Sequence, residues 1–101
     1  MNNEQILDAL TNAGVDVQAS AKSLSEAVGL LAALDAIGRD GGSALVKVDG
    51  QRSDGQVYTV LISGGRLGEG FFRRDGADLQ VLLRDALVFY VNHACSVPRG
   101  K

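Results

Sequence analysis

The chain has 101 residues and a mass of 10.6 kDa, and its 46% apolar and 22% charged residues are ordinary globular values. That composition excludes a disordered, collagen-like or low-complexity chain, and the length buries one core rather than two. A net charge of −2 with pI near 5.2 argues against a wholly basic nucleic-acid binder, and the single cysteine, Cys95, excludes an internal disulfide framework and any multi-cysteine metal site.

The first element expected is a short helix from Asn3 to Ala13, with Ile6, Leu7 and Leu10 on one face and Gly14 as its stop. A helix of about ten residues is marginal alone, so it is expected to dock on another surface. Residues 17–37 read as the main helix of the N-terminal half. Asp16 is its expected cap, although Ser23 with Glu26 forms a second capping-box pair and allows a later start. Leu24, Val28, Leu31 and Leu34 form a stripe of large apolar side chains. Gly29, Ala32, Ala33 and Ala36 form a second stripe of small ones. A helix apolar nearly all round is buried on more than one side. The small stripe suits close approach of a second backbone, and a homodimer is the commonest way to supply one.

After a glycine-rich loop around Arg39–Gly42, residues 43–63 read as a β-hairpin. Two Asp-Gly pairs, Asp49-Gly50 and Asp54-Gly55, suit the reversal. The second strand, Gln56 to Ser63, is apolar on both faces over its second half and is expected at the centre of the sheet. Glu69 to Arg74 reads as a shorter third strand carrying Phe71 and Phe72, weakened by neighbouring glycines. The last helix is expected to start at an Asp75 N-cap, with Asp78 in its first turn, and to run to about Cys95. Leu79, Leu82, Leu83, Ala86, Leu87, Phe89 and Tyr90 supply its apolar face. Residues 96–101 read as a frayed polar tail behind Pro98. The expected fold is a single α+β domain over 1–101. It is two-layered, of order α-α-β-β-(β)-α, with a small antiparallel meander packed on helices.

Charge is unevenly divided. Residues 1–42 carry two basic and six acidic groups, and residues 43–101 carry eight basic and six acidic ones. The densest candidate site is the Gly/Arg segment 64–76, where Arg66, Arg73 and Arg74 lie among glycines before a helix start. Helix N-termini attract anions, so these arginines are candidates to hold a partner's carboxylates or a phosphate. The spacing matches neither the phosphate-binding loop nor the dinucleotide fingerprint. On a strand, Arg73 and Arg74 point to opposite faces, which favours a protein contact over a compact phosphate pocket. His93 and Cys95 are two positions apart, so on a helix they diverge by about 200° and share no site. No metal, cofactor or catalytic constellation is expected.

The absence of an 18-residue apolar run, a start at Met1–Gln5 without signal-peptide features, and the lone cysteine lead us to expect a cytoplasmic protein with no membrane role. The expected function is a non-enzymatic protein-binding module of the inhibitor, immunity or accessory type, homodimeric through Gly29, Ala32, Ala33 and Ala36. The alternative is a small anionic-ligand or nucleotide-binding domain built on segment 64–76. A nucleic-acid partner is disfavoured, and would require the arginines to form one stripe without interleaved carboxylates.

Overall fold

Alternating apolar positions in the middle of the chain and 3.6-residue periodicity at both ends produce an α+β fold. A computed structural model of the chain describes residues 1–25 and 27–95. The described residues form four α-helices, α1 (Asn3–Asn12), α2 (Val17–Ser23), α3 (Ala27–Arg39) and α4 (Leu79–Tyr90), and three strands, β1 (Gly42–Val48), β2 (Tyr58–Gly64) and β3 (Phe71–Gly76), with α3 and α4 packed on the strands. Glu26 of the expected capping box and the expected tail 96–101 lie outside the described residues.

The strands form an antiparallel meander of order β1-β2-β3, with β2 central as its doubly apolar second half requires. Register places Ala44 beside Ile62 and Phe72, and Val46 beside Val60 and Arg74, on the face that α3 and α4 cover. Val60, Ile62 and Leu83 are fully buried, and each such side chain contributes about 1.5–3 kcal/mol. Leu79, Leu82, Ala86 and Tyr90 complete the α4 contribution. Gly76 admits this helix closely, since a Cβ there would lie 3.1 Å from Leu82. At the other end of the sheet, Gly65 has a positive φ, and a Cβ on it would stand 2.8 Å from the Gly42 amide nitrogen.

Three sequence expectations shift. The expected 17–37 helix is two helices, α2 capped by the Asp16 carboxylate on the Ala19 amide and α3 starting afresh at Ala27. The face of α3 that enters the core is Ala27, Leu34 and Ile37, with Leu30 against it, whereas Val28 and Leu31 of the expected large stripe are 74% and 51% exposed. A helix apolar all round does not announce which stripe meets the sheet. α4 begins at Leu79 with Asp78 as its N-cap, not Asp75, because Asp75 is held in β3 by contacts from distant segments. The surface on which α1 docks is α2, and the helix buries no residue there.

Candidate interaction surfaces

A three-stranded sheet covered by helices on one face leaves the other face open. The residues between those that point at the helices form this face. They are Ser43, Leu45 and Lys47 on β1, Thr59, Leu61 and Ser63 on β2, and Phe71, Arg73 and Asp75 on β3. Register aligns Leu45, Leu61 and Arg73 in one cross-strand row, with Ser43, Ser63 and Phe71 in the next. Leu45 is 52% and Phe71 61% exposed, so the centre of the face is apolar and wet.

The third row, Lys47, Thr59 and Asp75, is polar and organised from the β1–β2 loop. In that loop the Asp49 carboxylate accepts from the Gln51 amide at 3.0 Å and the Asp54 carboxylate from the Gln56 amide at 2.9 Å, the local turn geometry that Asp favours. The chain is thereby aimed so that Arg52 bridges Asp54 at 2.8 Å and Asp75 at 3.2 Å. The Thr59 hydroxyl donates to the same Asp75 carboxylate, and Thr59 is buried beneath the network. That hydroxyl, and then Arg52, hold the Asp75 carboxyl below the ordinary carboxylate range. The Gln56 amide, then Arg52, lower Asp54 in the same way, and Asp54 and then Asp75 raise Arg52.

The three arginines singled out by sequence are not brought to one site. Arg73 lies on the open face, 3.9 Å from Asp75. Arg74, one residue on, sits on the helix side of the sheet, 3.1 Å from Asp85 of α4 and over the Phe72 ring at 5.0 Å. Arg66 lies in the 3-10 turn Gly65–Leu67 and pairs with Asp40 at the end of α3. Each arginine therefore has a carboxylate in range, and the three form no stripe. The turn also satisfies its own amides, Gly68 donating to the Gly65 carbonyl at 3.1 Å and Gly70 to the Leu67 carbonyl at 2.9 Å. An anion at Gly64–Gly70 would have to displace those bonds and separate Arg66 from Asp40.

Of the small stripe, Gly29, Ala32 and Ala36 are exposed and Ala33 is half-buried, so the chain itself leaves this side of α3 uncovered. His93 lies in the π-helical turn Val91–Cys95 that continues α4. Its ring stacks on Phe89 at 4.0 Å, and its Nδ1 lies 2.9 Å from the Phe89 carbonyl, which only accepts, so Nδ1 carries the hydrogen. Among the described residues no group of three or more His, Cys, Asp or Glu is placed to hold a metal, and no helix is long and apolar enough to cross a membrane.

Sequence reasoning missed Arg52, Asp54 and Thr59 as one network with Asp75, and missed Leu45, Leu61 and Phe71 as one surface. The β1 alternation carried the signal for the latter, since it places Ser43, Leu45 and Lys47 together away from Ala44 and Val46. No family model matches the chain, and neither a curated protein nor a solved structure matches it.

Proposed function

We propose that the protein is a non-enzymatic protein-binding module of the inhibitor, immunity or accessory type, acting as a homodimer in the cytoplasm and meeting its partner through the open face of the sheet. The observation that carries this reading is the apolar patch in which Leu45 and Phe71 stand exposed on either side of a half-buried Leu61, bordered by Lys47, Arg73 and Asp75. An apolar centre inside a rim of both charge signs suits a protein surface. It does not suit a phosphate backbone, which asks for a continuous basic stripe. The pairing of Arg66, Arg73 and Arg74 with Asp40, Asp75 and Asp85 supports the same preference.

The rim explains how such a face stays specific. The Arg52–Asp75–Thr59 network fixes the polar row in place, so a partner meets a preorganised surface and loses little in ordering it. The homodimer draws its support from the opposite side of the molecule, where Gly29, Ala32 and Ala36, beside Val28 and Leu31, stand exposed on α3.

The test is affinity capture with cross-linking from the source cells, comparing the wild type with Phe71→Asp and Arg73→Glu. Both variants change exposed positions and should keep the wild-type circular dichroism and melting temperature. Loss of the same captured protein from both is the expected result. Identical capture by wild type and Phe71→Asp would remove the open face from consideration.

A further inference from the structure

Two uncovered surfaces of this chain complement one another. The first is α1, whose Ile6, Leu7 and Leu10 are 43%, 47% and 40% exposed and form one apolar stripe. Beside Leu7 runs a ridge of Glu4 and Asp8, an i,i+4 pair of like charges that weakens an isolated helix. Neither carboxylate has an ion-pair partner among the described residues. The second surface is the outer side of the helix layer, where Leu30 of α3 and Leu87, Val88 and Val91 line an apolar groove of about 260 Å³. Val88 and Val91 are 57% and 55% exposed. The one charged residue in the lining, Arg84, also has no ion pair among the described residues.

We propose that α1 of one copy lies in the α3–α4 groove of a second copy, with Glu4 and Asp8 facing the partner subunit's Arg84, and that the exchange is reciprocal. The inference rests on the homodimeric reading above and places the contact at this groove rather than on Gly29, Ala32 and Ala36. Three observations favour it. The stripe and the groove are both apolar and of helix-in-groove form. The unpaired charges are opposite in sign, so the contact removes a repulsion within α1 as it forms. The shape favours a second copy over the chain's own groove. The radius of gyration is 16.0 Å and the long axis 55 Å, whereas a compact chain of this length has a radius of about 13 Å. Reciprocal exchange of an arm also closes a two-fold dimer without an open end.

The experiment is a charge-reversal cycle read by concentration-dependent light scattering of the full chain. Arg84→Glu and Glu4→Arg should each raise the dimer dissociation constant about tenfold, because each reversal acts at both symmetry-related contacts. The double variant should recover most of that loss. In a Cys95→Ser background, mixing Leu7→Cys chains with Val88→Cys chains should give a mixed disulfide under mild oxidation. A dimer that ignores both reversals overturns the arm exchange and leaves the homodimer standing. A wild type that stays monomeric at all concentrations overturns both. A Leu7–Val88 cross-link that forms only within one doubly substituted chain places the arm on its own groove and also overturns the exchange.

Discussion

Asp75 shows how one side chain acquires a role that its neighbours in sequence do not define. Preceding a glycine three residues before a second aspartate, it has the local character of a helix cap. In the folded chain its carboxylate instead receives the Thr59 hydroxyl from β2 and Arg52 from the loop between β1 and β2. Those contacts lower its pKa, so the folded state releases that proton more readily than the unfolded chain does. The resulting stabilisation is fully present above the unfolded carboxylate value, about 3.9, and disappears as pH falls through the lower folded value. Asp54, lowered by the Gln56 amide and then Arg52, follows the same direction. Urea midpoints measured from pH 7 down to pH 2 should therefore fall at the acid end. Thr59→Val, which removes the largest cause at Asp75, should flatten that fall. An unchanged slope in the variant would show that the hydroxyl does not set this titration.

At the scale of elements, legibility followed how local the determining signal was. α4 and β2 were readable because periodicity and β-branched content agree with where these elements are buried. The stop at Gly14, which has a positive φ, and the Asp16 cap were readable because both are decided within one helical turn. The packed side of α3 was not readable, because two apolar stripes compete and the choice belongs to the sheet. The start of α4 was displaced by three residues because two aspartates had equal local claims and a distant arginine took one of them. The segment 64–76 misled for a similar reason. Its arginines are adjacent in sequence, but strand alternation sends Arg73 and Arg74 to opposite faces, and Asp40 holds Arg66. The cap assignment has a measurable consequence. Asp78→Ala leaves the Val81 amide without its acceptor and should cost about 1 kcal/mol in urea unfolding, with the α4 end fraying first. Asp75→Ala should instead disturb the β1–β2 loop. Nuclear magnetic resonance shifts confined to Arg52, Asp54 and Thr59 would separate that effect from helix fraying.

On the scale of the whole molecule, the two layers present different characters to solvent. The open sheet face is apolar at its centre and tied down at one end by ion pairs. The outer side of the helices is apolar along α4 and small-sided along α3. A chain with only twelve buried core side chains among its described residues leaves both faces available. The meander between them is assembled from sequence neighbours, so the platform that carries both faces forms without long-range threading.

The absence of any buried residue in α1 gives the molecule a built-in reporter. In a lone copy the backbone amides of Asn3–Asn12, with no buried side chain to hold them, should open at low free-energy cost and exchange hydrogen far faster than those of the core. Those of β2, flanked by a strand on each side, open only with the whole fold. If the arm seats in a second copy, protection in α1 should rise with protein concentration, and that in β2 should rise with it by mass action, because the dimer must part before the whole fold opens. Across a dilution series, protection gained in α1 together with β2 therefore reports the arm contact, whereas protection gained in β2 alone reports a dimer that leaves the arm free.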